Sequence, residues 1–158
     1  MKLARTIQFD ESDRNVFSRP AESGEWAISG GFEFSNWTKA ELVGKARQAF
    51  ANGWLGLESF GRSTFVAITR IEPAELEALH GALAAHFVSH YGAPDLDAAK
   101  SVAREEIAFM EGLCAEHDPN SLLAVSRELT DTGVHEQFRH IAVADAEIDI
   151  IAVHGTLD

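Results

Sequence analysis

The sequence contains one cysteine, Cys114, among 158 residues. A single cysteine permits no intrachain disulfide and no metal site built from several thiolates. Long apolar runs are also missing, because no stretch approaches the ~20 residues that a membrane-spanning helix needs. Residues 1–6 lead into an alternating pattern and not into an apolar segment, which is not the pattern of a signal peptide. These absences predict a cytoplasmic protein.

Basic residues are scarce: 13 Lys and Arg stand against 25 Asp and Glu, which gives a net charge of −12. A field of this sign repels phosphate backbones and anionic lipid surfaces, and no local basic cluster offsets it. We therefore expect neither nucleic acid nor a membrane as a partner.

The length and the composition are those of one globular domain. Hydrophobic residues make up 46% of the chain, and a domain of this size buries enough surface to fold without a disulfide or a metal. No repeat, linker or low-complexity tract divides the chain. We predict a single domain over residues 1–158, in which 142–158 form an acidic C-terminal strand or tail.

Strand signals dominate the first part of the chain. Apolar and polar residues alternate from Leu3 to Phe9, which predicts a strand with one buried face. Gly30 and Gly31 stand between two apolar pairs, so they predict either a tight hairpin or a glycine bulge in one longer strand. Further extended segments are expected at 16–19, 54–60 and 64–71.

A helix is predicted over 39–52. Thr38 and Glu41 have the spacing of a capping box, and Trp37 can pack on Leu42 across it. Gly53 supplies the C-terminal stop. The apolar residues repeat at helical spacing: Leu42, Val43, Ala46, Ala49 and Phe50.

Two longer helices are expected at about 74–91 and 95–116, as antiparallel neighbours because their connection is short. Strands at 122–129 and 134–141 form a hairpin around residues 130–133. This order of elements predicts an α+β fold, with a largely antiparallel sheet of hairpins packed by about three helices.

His86 and His90 are the candidate metal ligands. Residues four apart on a helix are adjacent, so the two imidazoles can chelate one divalent transition metal. A complete site needs a third ligand, for which Glu106, Glu111 and His117 on the next helix are the candidates. The alternative is that both rings lie at the margin of the core with one nitrogen in water.

Cys114 lies at the centre of the apolar stripe of the third helix, between Met110 and the helix end. A reactive thiol needs exposure and a nearby cation, whereas this setting is apolar. We therefore expect a buried, structural cysteine.

Seven short segments carry a resemblance to known proteins: MKLARTI at 1–7, GEWA at 24–27, GKARQAF at 44–50, GLES at 56–59, YGAPDL at 91–96, AREEIAF at 103–109 and EQFR at 136–139. They resemble a small family of alphaproteobacterial proteins that is defined as a domain of unknown function. The resemblance covers most of residues 1–141 and implies no activity, cofactor or catalytic residue. Genes of that family neighbour formate-dehydrogenase accessory genes and a biotin/lipoate-ligase-like gene, which implies an accessory role.

Two functions follow from these patterns. The first is a non-enzymatic accessory or interaction protein that self-associates, for which exposed aromatic residues would be the evidence. The second is a small-molecule-binding or metal-binding enzyme with a site between the second and third helices. A cleft in which His86, His90 and a carboxylate converge would favour the second function.

Overall fold

The structure is a computed structural model that describes residues 1–8 and 15–141. Within these residues, α-helices are α1 (Gly44–Asn52), α2 (Pro73–His90) and α3 (Leu96–Ala115), and 3-10 helices span Gly31–Phe34 and Lys39–Glu41. The strands are β1 (Lys2–Ile7), β2 (Trp26–Ile28), β3 (Trp54–Gly56), β4 (Arg62–Ser63), β5 (Phe65–Arg70), β6 (Leu122–Thr130) and β7 (Gly133–Ile141).

The seven strands form one sheet in the order β4-β3-β2-β1-β5-β6-β7, and every neighbouring pair is antiparallel. This arrangement confirms the predicted α+β class. The sheet is curled, so that side chains from β4 at one edge and from β6 near the other reach the same backbone carbonyls.

Alternation along the central strands divides the apolar residues between two faces. Val66 and Ile68 of β5 belong to the main core, together with the buried faces of α2 and α3. Phe65 and Ala67 point to the opposite face, where they pack around Leu122 and Ile141. The first strand, predicted with one buried face, is buried on both, because Leu3, Ala4 and Thr6 are all inaccessible.

Both long helices form as predicted. Pro73 occupies the first turn of α2, where its missing N–H costs nothing. The Asp95 side chain accepts a hydrogen bond from the backbone N–H of Ala98 at 2.8 Å and starts α3. None of the helices in the described part of the chain is long and apolar enough to cross a membrane.

The helix predicted over 39–52 is interrupted. Thr38 and Glu41 do form the capping box, with the Thr38 N–H donating to the Glu41 carboxylate at 2.6 Å, but they cap a 3-10 helix of three residues. Val43 then takes an extended conformation, which suits a β-branched residue, and α1 begins only at Gly44. Val43, predicted as part of the apolar face, is 66% exposed.

The expectations for two early segments were wrong. Asn15 and Val16 are helical and not extended. Gly30 and Gly31 make neither a hairpin nor a bulge: Gly30, at φ 73°, precedes the 3-10 helix Gly31–Phe34. Both glycines lie where other side chains approach the backbone so closely that a Cβ would clash.

The remaining strands largely follow the predictions. The segment predicted as a strand at 54–60 shortens to β3, which pairs with the two-residue strand β4, and β5 covers most of 64–71. The C-terminal hairpin is confirmed, with Thr130 opposite Gly133 across a two-residue turn. The predicted C-terminal strand or tail at 142–158 lies outside the described residues.

Cys114 has no exposed surface, and burial raises the pKa of its thiol to about 12. We therefore predict that a thiol reagent at neutral pH labels the native protein slowly and the urea-unfolded protein fast, because only the thiolate reacts. The labelling rate can be followed by mass spectrometry. Equal rates in both states would contradict the burial of this face of α3.

Candidate functional site

Arg127 and Glu136 form a cross-strand ion pair inside the curled sheet. The register of the C-terminal hairpin places them directly opposite each other, and the Arg127 Nε donates to the Glu136 carboxylate at 2.8 Å. The Arg127 side chain has no exposed surface. A charge buried in this way must be paired and fully hydrogen-bonded to be tolerated.

Backbone carbonyls supply the remaining partners of Arg127. Its Nη1 donates to the carbonyls of Phe50 at 3.0 Å and of Gly53 at 2.8 Å, at the C-terminal end of α1. These carbonyls have no partner within the helix, and the helix dipole favours a cation here. Its Nη2 donates to the carbonyl of Ser29, at the end of β2.

Arg62 lies on β4, the edge strand at the other end of the sheet, and it donates to two of the same carbonyls. Its Nη1 donates to Gly53 at 3.1 Å and to Ser29 at 3.3 Å, and its Nη2 donates to Gly30 at 3.1 Å. The second acceptor of Nη2 is the carboxylate of Glu33. The two arginines thus join the ends of the sheet through shared acceptors.

The proximity of two like charges is balanced in two ways. Glu33 and Glu136 provide one carboxylate for each arginine, and the guanidinium carbons of Arg62 and Arg127 lie 4.6 and 5.2 Å from the ring centroid of Phe34. Burial, and then repulsion from Arg62, lower the pKa of Arg127 to about 10. Arg127 therefore remains charged at neutral pH. Burial also lowers the pKa of Arg62, and the Glu33 carboxylate opposes this shift.

The two adjacent glycines leave room for these side chains. A Cβ on Gly30 would lie 2.5 Å from the Leu55 Cβ and 2.8 Å from Arg62 Nη1, and a Cβ on Gly31 would lie 2.7 Å from a carboxylate oxygen of Glu136. The positive φ of Gly30 adds a second requirement for glycine.

Glu33 connects the buried network to a surface cleft. Its side chain is 37% exposed and lines two adjoining cavities, of about 330 and 210 Å³. Arg19, Trp37 and Phe60 line both cavities with it. The larger cavity is completed by Leu55, His86, His90 and Tyr91, and the smaller by Phe17, Ser18, Phe34, Lys45, Ala46, Ala49 and Arg62.

A stack of three rings forms one wall of the cleft. Phe60 lies on His86 with ring centroids 3.7 Å apart and planes within 3°, and His86 stacks in turn on His90 at 4.4 Å. Phe60 holds a positive φ of 55°, which is uncommon for a bulky residue. Such backbone conformations cost free energy and cluster at functional sites.

The surroundings shift the pKa values of two polar groups that line the larger cavity, His86 and Tyr91. Burial, followed by repulsion from His90, lowers the pKa of His86, so this imidazole is neutral at pH 7. Burial and the nearby Glu33 carboxylate raise the pKa of Tyr91, so the phenol keeps its proton. A neutral imidazole and a phenol each offer both a hydrogen-bond donor and an acceptor.

The structure brings His86 and His90 together but separates them from the expected third ligands. His117 stacks on His140 of β7 at 4.7 Å, and the pKa of Glu106 is raised by burial and by Glu136. No residue of α3 lines the cavity of the two histidines, so their site faces Glu33 and Phe60. Within residues 1–8 and 15–141, no three His, Cys, Asp or Glu side chains are grouped to hold a metal.

A second surface lies between α3 and the C-terminal hairpin. It is a cavity of about 480 Å³ lined by Phe109, Gly112, Leu113 and Phe138, with His117 and His140 at its rim. Phe109 is 49% exposed. This surface is more apolar than the larger cavity of the cleft.

The residues that organise the cleft were not predicted from the sequence. Arg127 follows Leu123 and Val125 at strand spacing, and the two-residue turn places it opposite Glu136. This cross-strand pair could therefore have been predicted from the sequence. The roles of Arg62, Glu33 and Phe60 could not be predicted in this way, because their contacts depend on how the sheet curls.

The profile of a family of unknown function (DUF6505) matches residues 1–158, including the C-terminal segment that the sequence resemblance had left out. No curated protein and no solved structure matches the chain.

Replacing Arg127 by Met should lower the free energy of unfolding by about 3–5 kcal/mol, because Glu136 would lose its partner inside the protein. Urea unfolding followed by circular dichroism measures this difference. Arg139→Met is the matched control, since Arg139 lies exposed on β7, and its effect should stay within about 0.5 kcal/mol. Similar losses for both variants would contradict the role given to the buried pair.

Proposed function

Because the chain belongs to a family that is described only as one of unknown function, we propose its function from the cleft: it binds a small molecule with a planar ring. The ligand lies between Trp37 and the stack formed by Phe60 and His86.

The observation that carries this proposal is the convergence of His86, His90 and the Glu33 carboxylate on one cavity. The sequence alone had left open a non-enzymatic interaction protein and a small-molecule-binding or metal-binding enzyme, and this convergence favours the second, although the cleft lies beside Phe60 and Glu33 and not between α2 and α3. A volume of about 330 Å³ is at the lower end of the usual range for ligand pockets. It suits a ligand of one or two rings.

The lining has the composition of a ligand site. Phe60, Trp37 and Leu55 provide apolar surface, on which a planar ring can stack. The imidazole of His86 and the hydroxyl of Tyr91 make no hydrogen bond with another side chain in the described part of the chain, so both can bond to a ligand. Polar groups beside an aromatic surface are the usual means of orienting a small molecule, and this cavity has both.

Metal binding by His86 and His90 stays a prediction. The two ring centroids lie 4.4 Å apart, and in the described part of the chain no third His, Cys, Asp or Glu side chain is grouped with them to hold a metal. The small-molecule proposal does not depend on it.

We predict that small aromatic compounds bind to the cleft and that Trp37→Ala weakens them about two- to tenfold, because one stacking surface is lost. Saturation-transfer NMR with benzoate, benzamide, indole-3-carboxylate and indole-3-carboxamide measures the affinity. Phe109→Ala is the control, since Phe109 is another partly exposed aromatic residue, outside the cleft. Absence of binding at millimolar concentration, or equal loss in both variants, would contradict the proposed function.

A second candidate function is self-association through the exposed side of α3. Phe109 is half exposed on this side, and it lines with Gly112, one turn further, the recess of about 480 Å³ between α3 and the C-terminal hairpin. A two-fold interface between identical copies uses one self-complementary surface, and an exposed ring beside a recess can be such a surface. The occupant we propose is therefore a second copy of this chain.

Sedimentation equilibrium should show a dimer that Phe109→Asp dissociates. Gly112→Ala should weaken the dimer by filling the recess, although alanine favours the helix by about 0.5–1 kcal/mol. Gly81→Ala in α2 is the control, because Gly81 also has open space at its Cβ position. A wild-type protein that stays monomeric at high micromolar concentration would exclude this interface.

A further inference from the structure

The charges around the cleft differ from those of the whole protein. Its lining includes three basic residues, Arg19, Lys45 and Arg62, and one acidic residue, Glu33. The chain as a whole has nearly twice as many acids as bases. The cleft is therefore a local exception to a strongly negative surface.

The single carboxylate of the lining does not neutralise the exposed cations. Glu33 is hydrogen-bonded to the buried guanidinium of Arg62. Arg19 and Lys45 are exposed, and neither forms an ion pair with another side chain in residues 1–8 and 15–141. The two cations are thus available to a ligand from opposite elements, the segment before β2 and the first turn of α1.

We infer that the ligand of the cleft carries an anionic group, a carboxylate or a phosphate, which Arg19 and Lys45 bind while its ring stacks beside Phe60. This inference rests on the proposed function and adds the charge of the ligand to it. An anion would otherwise be repelled by the net charge of the protein, so its binding requires cations of this kind at the site. Arginine and lysine both form charge-assisted hydrogen bonds with oxyanions.

The arrangement also separates the two ends of the ligand. Lys45 and Arg62 line the smaller cavity, whereas His86 and Tyr91 line the larger one, and Arg19 lines both. The anionic group therefore lies on the α1 side, and the ring lies on the α2 side, where the neutral imidazole of His86 forms part of the stack.

The test compares acids with their neutral amides on the full chain. Benzoate and indole-3-carboxylate should bind about tenfold more tightly than benzamide and indole-3-carboxamide, measured by ligand-observed NMR titration. Arg19→Gln and Lys45→Gln should each remove most of this difference and leave the amides unchanged. Phenyl phosphate, compared with benzoate, identifies which oxyanion the site prefers.

Arg47→Gln is the matched control, because Arg47 is exposed on the same helix as Lys45 but does not line the cleft. It changes the net charge equally and should leave the acid-to-amide ratio unchanged. Amides that bind as tightly as the acids would overturn the inference of an anionic ligand and leave the proposed function standing. Failure of both acids and amides to bind would overturn the proposed function itself.

Discussion

Two buried arginines determine the shape of this protein. Arg62 and Arg127 come from strands near opposite ends of the sheet, yet both donate to the carbonyls of Ser29 and Gly53. Each buried guanidinium brings five donors that must find acceptors. Because the acceptors lie at the ends of β2, β3 and α1, satisfying the arginines requires the sheet to curl and α1 to close the gap.

The cleft results from the way in which the curled sheet and α1 enclose the two arginines. Arg62 fixes the carboxylate of Glu33, and the glycines at 30 and 31 let the chain pass close to Arg62 and Glu136. The 3-10 helix that carries Glu33 is thereby held against the Phe60 segment and the end of α2. Rigid positioning of a carboxylate, two aromatic residues and an imidazole is what a binding site needs, since ordering them at the moment of binding would cost affinity.

Local signals in the sequence were sufficient for most of the elements. The apolar repeats and the caps of α2 and α3, the turn at 131–132 and the burial of Cys114 depend on neighbouring residues alone. The signal at Thr38 and Glu41 was also real, but Val43 and Gly44 ended the helix after one turn. The local sequence pattern alone does not determine where a helix begins when helix propensity and tertiary packing favour different conformations.

The candidate site was only partly predictable for the same reason. His86 and His90 were adjacent on their helix, as their spacing required, but their neighbours Phe60, Glu33 and Arg19 come from distant segments. The expected carboxylates of α3 face elsewhere, because the curled sheet places the 3-10 helix and not α3 beside these rings. A sequence pattern gave no information about the direction of the curl.

We propose that the cleft beside Glu33 binds a ring-bearing anion. The most direct measurement is a map of amide chemical-shift changes in the wild-type protein during titration with indole-3-carboxylate. We expect the changes to concentrate at Glu33, Phe60, His86 and Tyr91. Changes concentrated around Phe109 and Phe138, or no changes at saturating concentration, would contradict it.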